Sequence, residues 1–305
     1  MSIRKKFVLV VSGPTASGKT AMAIELAKAF DTEIISADSR QLYREMSIGT
    51  AVPSDHELQL VPHHFIHCCS ARDAFDVARY EKEVLQLLEQ LFQKHDIVIL
   101  SGGTGLYIDA VCRGLDVIPK VKPEIREKVS NFYKQYGIRG LQNAVAENDP
   151  EFFKSVDRQN PRRLQRALEV FEQTGLPFSF YHKKAPVKRD FEVIWTAIDR
   201  DKNVLHSRIN QRVEKMMADG LLAEAEKLVP LRQLNALKTV GYKELFAYFD
   251  GKISLEEAVE QIKTSTRKYA KRQLTWLRKN KDYRWFKADE LPELIQYVET
   301  VMKAE

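Results

Sequence analysis

Cysteine is scarce in this chain. Three residues, Cys68, Cys69 and Cys112, occur among 305, with no C-x-x-C pair. That excludes a disulfide framework and points to a reduced compartment. Long hydrophobic runs are also missing: nothing approaches the ~18 apolar residues of a membrane span. The apolar run in the opening "MSIRKKFVLVVSG" is too short for the core of a secretion signal. A cytoplasmic protein with no membrane partner is expected. Internal repeats and low-complexity segments are absent.

A modest excess of cations is present. Lys and Arg number 48 against 42 Asp and Glu, a formal net charge of +6. Such an excess fits either a polyanionic partner or simple solubility. The length suits about two domains.

Apolar runs alternate with helical patterns. "FVLVV" (7–11), "EIISAD" (33–38), "DIVILSGG" (96–103) and "FEVIWTAID" (191–199) read as strands. An amphipathic helix near 73–94 separates the second and third. Apolar runs without alternation predict a parallel sheet buried on both faces. Residues 114–189 differ: "KPEIREKVSNFYKQYG", "IRGLQNAVAEND" and "NPRRLQRALEVFEQTG" read as helices, with no strand between them. The expected fold class is therefore α/β: a P-loop NTPase-like core with helices on both sheet faces. It would comprise residues 1–113 and 190–305, interrupted by an all-helical domain over 114–189. Residues 200–282 are mostly helical, and "YRWFKA" (283–288) is a possible edge strand.

Directly behind the first strand stands "GPTASGKT" (13–20), which fits G-x-x-x-x-G-K-[ST]. Backbone amides of such a loop and the following helix N-terminus form an anion nest. Lys19 adds a point charge, and the Thr20 hydroxyl suits Mg²⁺. ATP chemistry should leave a further mark, a Mg²⁺-holding carboxylate at a strand end. The strand "IVIL" runs instead into "SGG"; the nearest strand-end acid is Asp38, in "SADSRQLY". Asp38 can be read as a helix N-cap or as a proton acceptor beside the loop. "SGGTGLYIDA" (101–110) is a small-residue turn opening a helix, with the Thr104 hydroxyl at its start.

Charge is concentrated near the C-terminus. Residues 263–287 hold ten Lys or Arg and one acid, Asp282. On a helix, Arg267, Lys268, Lys271, Arg272, Thr275, Arg278 and Lys279 share an arc of about 140°. Ile262, Tyr269, Ala270, Gln273, Leu274, Trp276 and Leu277 share the other side. That stripe predicts a phosphate-backbone track. More cations occur in "NPRRLQR" (160–166) and "HKKAPVKR" (182–189). Basic surfaces on two domains suit structured RNA. Arg208 and Arg212, one helical turn apart, form either surface ion pairs or a diphosphate clamp.

Taken together, "GPTASGKT", "SADSRQLYREMSIGTAVP", "SGGTGLYI", "NPRRLQRALEV", "LKTVGYKE" and "TRKYAKRQLTWLR" span residues 13 to 278. In that order they resemble the successive motifs of the tRNA dimethylallyltransferases, or tRNA isopentenyltransferases, in their short bacterial form without a C-terminal zinc finger. The resemblance implies transfer of a dimethylallyl group from dimethylallyl diphosphate to N6 of the adenosine 3′ to the anticodon. Gly13, Pro14, Thr15, Ala16, Ser17, Gly18, Lys19 and Thr20 would then cradle diphosphate, with Mg²⁺ on Thr20. Asp38 would be the base, assisted by Arg208 and Thr104. The tRNA anticodon stem-loop would meet Asp38, Ser39, Arg40 and Gln41, with Thr104 at the channel mouth and Arg126 as a further contact. Three more stretches follow: Arg162, Arg163, Leu164, Gln165 and Arg166; Lys238, Thr239, Val240, Gly241, Tyr242 and Lys243; and Lys271, Arg272, Gln273, Leu274, Thr275, Trp276, Leu277 and Arg278. A monomer is the default. The competing reading is an ATP-dependent small-molecule kinase with a helical lid. His63, His64, Cys68 and Cys69 are expected to serve packing rather than metal binding.

Overall fold

The computed structural model describes residues 5–182 and 186–304. β1 (Phe7–Ser12) is buried along its whole length and feeds α1 (Lys19–Ala29). β2 (Ile34–Ser36), α2 (Asp55–Leu60), β3 (His63–His64), α3 (Val77–Leu91), β4 (Ile97–Gly102) and α4 (Gly105–Arg113) follow. α5 (Pro123–Asn148), α6 (Pro150–Ser155), α7 (Pro161–Thr174) and α8 (Phe178–Tyr181) come next. The chain then returns through β5 (Glu192–Asp199), α9 (Lys202–Ala218), α10 (Leu221–Leu228), α11 (Tyr242–Phe249) and α12 (Leu255–Lys279). β6 (Arg284–Lys287) and α13 (Leu291–Ala304) close it.

The six strands lie in the order β3-β2-β4-β1-β5-β6, and every adjacent pair is parallel. Alternate residues of β1 enter opposite cores. Leu9 and Val11 pack with Met22, Leu26, Leu294 and Val298 of α1 and α13. Val8 and Val10 share the other core with Tyr80, Val84, Ile108, Val213 and Ile262. Burial on both faces is why the strands carry no polar alternation. The sheet of the expected α/β class is thus present with helices on both sides.

Two compact units form. One is the chain to Cys112 together with the chain from Arg189 onward; the other is Arg113–Lys188. The second unit has its own core, built on Val129, Leu141, Val145, Leu164, Leu168 and Phe178. Its helices start where Pro and Asn supply N-terminal geometry: Pro123 and Pro161 occupy the first turn, and Asn160 caps α7. Gly137 (φ 63°) breaks α5 into two helical segments, and Gly175 ends α7 in the left-handed conformation, as helix C-termini favour.

The register positions the site. Ser12 pairs with Gly102 and with Ala197, and Ser36 pairs with Ser101. The carboxyl ends of β1, β2, β4 and β5 therefore coincide, and the loops that leave them share one edge. That edge is where open parallel sheets bind ligands.

Candidate functional site

The loop between β1 and α1 is a constrained anion nest. Ala16 and Gly18 both have positive φ, 65° and 101°, and Ser17 N donates to Pro14 O at 3.1 Å. A non-glycine residue in this region is strained; side chains from elsewhere hold it there. Arg208 Nε donates to Ala16 O at 2.9 Å, and Arg200 Nε donates to Ser17 O at 2.9 Å. Arg212 Nη1 donates to Thr15 Oγ1 at 3.3 Å. With the loop's carbonyls engaged by guanidinium groups, the amides of Ala16, Gly18, Lys19 and Thr20 have no acceptor among the described residues.

Lys19 is partly buried, and desolvation depresses its ammonium to about 8, aided by Arg212 and opposed by Asp38. Burial, then Arg208, works against the charge of Arg212 in the same way. Neither Arg208 nor Arg212 forms an ion pair with a carboxylate among the described residues; each instead donates to the phosphate loop. Lys19 and Arg212 are partly buried, and a desolvated cation without a carboxylate partner is favoured by an anion that completes it. Arg200 escaped the sequence reading; its signal is its place one residue beyond the carboxyl end of β5.

Asp38 follows β2 and lines the same cavity, of about 570 Å³, as Thr15, Lys19, Thr20, Thr104, Arg208 and Arg212. It does not cap a helix. Residues 38–53 form turns, and the next helix is α2. Its Oδ1 instead accepts Arg40 N at 2.9 Å, and its charge acts on Lys19 across the cavity. Thr104 is tied to this segment: its Oγ1 accepts Ser39 N at 3.0 Å, and its own N–H donates to Ala37 O at 3.1 Å. Gln41 is a brace, with Nε2 donating to Ala51 O at 2.9 Å.

The turn after β4 is glycine-rich because α12 lies against it. A Cβ on Gly103 would sit 2.2 Å from Gln273 Nε2, and one on Gly105 would sit 2.2 Å from the Trp276 ring. Gln273, 7% exposed, reaches inward from α12. Its Nε2 donates to Gly103 O at 2.9 Å, and its Oε1 accepts Thr15 N at 2.8 Å.

The outer side of α12 carries the charge. Lys268, Lys271, Arg272, Thr275, Arg278 and Lys279 are exposed, and Arg267 donates to Asn210 Oδ1. The same helix corrects part of the expected RNA contact set. Gln273 and Leu277 are buried, and Leu274 packs against Ala16, Leu205 and Ile209. Leu164 and Tyr242 are likewise fully buried, so neither offers a side chain to a partner. The exposed members of those stretches are Arg162, Arg163, Lys238 and Lys243. Arg166 is drawn to Pro119 O and Glu169. Arg126 is exposed in the first turn of α5.

Of "HKKAPVKR", residues 183–185 lie outside the described residues. Arg189 binds Glu81 and the carbonyls of Ala110 and Val111, a structural role rather than a free cation. His64 pairs with Glu33 at 2.6 Å, His63 Nδ1 lies 2.8 Å from Val61 O, and Cys69 is buried near Leu42 O.

The IPP transferase family model matches residues 41–280. A tRNA dimethylallyltransferase from Christiangramia forsetii is 47% identical over 295 residues, covering 96% of this chain and 98% of the relative. Among solved structures, the tRNA isopentenylpyrophosphate transferase of Bacillus halodurans superposes with a TM-score of 0.72 at 34% identity, covering 98% of this chain and 97% of that one. A eukaryotic dimethylallyltransferase, captured acting on tRNA, gives a TM-score of 0.78 at 25% identity, covering 94% of this chain and 75% of that one. With its motifs in order and its fold shared, the chain belongs to the IPP transferase family.

Proposed function

We propose that this protein is a tRNA dimethylallyltransferase: it moves a dimethylallyl group from dimethylallyl diphosphate to N6 of the adenosine 3′ to the anticodon and releases diphosphate. The observation that carries this is the meeting, in one cavity, of the phosphate-loop Lys19 and the α9 cations Arg208 and Arg212 with the strand-end carboxylate Asp38.

The chemistry follows from those groups. The allylic C1–O bond breaks with its electron pair leaving on diphosphate, and the adenine N6 lone pair forms the new bond to C1. Negative charge grows on the leaving oxygens, where Lys19, Arg208, Arg212 and the free loop amides are already oriented; preorganised donors of this kind lower the barrier most. The N6 amine is a poor nucleophile until it sheds a proton, and Asp38 receives it. The Thr104 hydroxyl holds the incoming purine at the mouth. The Thr20 hydroxyl, without a protein partner among the described residues, suits a Mg²⁺ ion carried on the diphosphate, which would further neutralise the leaving charge. Extracting the adenosine from its stack precedes all of this, as for other base-modifying enzymes.

RNA is held by the exposed cations of α12 with Lys238 and Lys243, and by Arg126, Arg162 and Arg163 on the second unit. The protein works as a cytoplasmic monomer. No helix among the described residues is long and apolar enough to cross a membrane. A kinase has less support, because β4 ends in Ser101 and Gly102 without a metal-holding acid. Unmodified tRNA is incubated with donor labelled in the dimethylallyl group, and separately with ATP labelled at the γ-phosphate. Label enters tRNA from the first; phosphoryl transfer from the second would contradict the proposal.

A further inference from the structure

The phosphate loop is not uniformly available to a ligand. Pro14 has no N–H, Ser17 N is committed to Pro14 O, and Thr15 N is committed to Gln273 Oε1 at 2.8 Å. Gly13 N, and beyond Thr15 the amides of Ala16, Gly18, Lys19 and Thr20, have no acceptor among the described residues. The Pro14–Thr15 stretch thus offers no amide to a ligand, and Ala16, Gly18, Lys19 and Thr20 do.

Gln273 is well built for this closure. It is buried, both arms of its carboxamide are engaged, and Gly103 has no Cβ because one would collide with it. A phosphate at Thr15 would meet the Gln273 carboxamide oxygen, an acceptor, where the loop would otherwise offer an amide.

We infer that Gln273 is a specificity-determining residue that restricts the loop to diphosphates by occupying the Thr15 amide. This rests on the reading of the loop as the donor's diphosphate site. It separates Gln273 from its neighbours Lys271, Arg272 and Arg278, whose exposed charges serve RNA.

The test uses inorganic diphosphate and inorganic triphosphate as probes, with Mg²⁺, by titration calorimetry on the whole protein. Wild type is expected to prefer diphosphate. Gln273→Met keeps the volume but removes the acceptor, and should shift the ratio of the two affinities about tenfold toward triphosphate, with tRNA affinity unchanged. Gln273→Glu keeps an acceptor for Thr15 but adds repulsion, and should weaken both anions. A ratio unmoved in a folded Gln273→Met protein overturns the inference while leaving the diphosphate site intact. Wild type that does not bind diphosphate at all overturns both. A variant-free measurement stands beside these. In ¹⁵N-threonine-labelled wild type, diphosphate should shift the Thr20 amide and leave Thr15 in place; movement of Thr15 equal to that of Thr20 overturns the assignment.

Discussion

The phenol of Tyr242 donates a hydrogen bond to Glu224 Oε1 at 2.7 Å, and the same carboxylate receives the amides of Ser47, Ile48 and Gly49 at 2.8–2.9 Å. One acid from α10 thereby fixes the loop that begins at Asp38. Replacing Glu224 by Ala strands three amides and a buried phenol, and should cost about 3–5 kcal/mol, within the range for breaking a buried charged network. Tyr242→Phe removes one bond and should cost about 1–2 kcal/mol. Urea unfolding measures both; equal and negligible losses would show that the network does not hold the loop.

Lys19 links donor binding to pH. Its ammonium, held down to about 8 by burial and Arg212, is charged below that pH and neutral above it. A bound diphosphate favours the charged form and raises the pKa of the complex. The kcat/KM for dimethylallyl diphosphate should therefore fall as pH rises through about 8, while kcat at saturating donor stays level to higher pH. Parallel declines of both would assign the titration to another group.

Asp38→Ala should reduce transfer by about 10²–10⁴-fold, the usual worth of a positioned general base. tRNA affinity should change little, because the exposed cations remain. Single-turnover rates and filter binding separate the two effects. Retention of the full rate would remove Asp38 as the proton acceptor.

The stripe on α12 predicts a salt signature. Neutralising Lys271, Arg272 and Arg278 with Gln should weaken tRNA binding across sequences and reduce the slope of log K against log salt by about one for each lost phosphate contact. An unchanged slope would mean that these charges are simply solvated.

Much of this site is legible before any coordinates, and the reasons are specific. Lys19 and Thr20 are fixed by the spacing of a loop whose backbone geometry allows few alternatives, and Asp38 stands at a strand end marked by the apolar run before it. The α12 stripe is legible because one helical period separates its cations from its core. Arg200 and Glu224 are not, since each acts on backbone groups distant in sequence and neither belongs to a local pattern. Gln273 is legible only in part: the helical period sets it on the side away from the cations, while the resemblance counts it among the RNA contacts. It stands inside a basic, RNA-like stretch, yet the helix turns it inward. β3, two residues long, and α13 lie outside the sequence-based reading. The first is too short to carry a periodic signal, and the second follows the final basic motif, where the chemistry ends.

The most direct measurement is nucleoside mapping of an anticodon stem-loop incubated with the protein, Mg²⁺ and dimethylallyl diphosphate. The account predicts a dimethylallyl group on N6 of the adenosine 3′ to the anticodon, with one diphosphate released per modified RNA. Unmodified RNA recovered from a protein that binds both substrates, or a phosphorylated product formed with ATP, would contradict it.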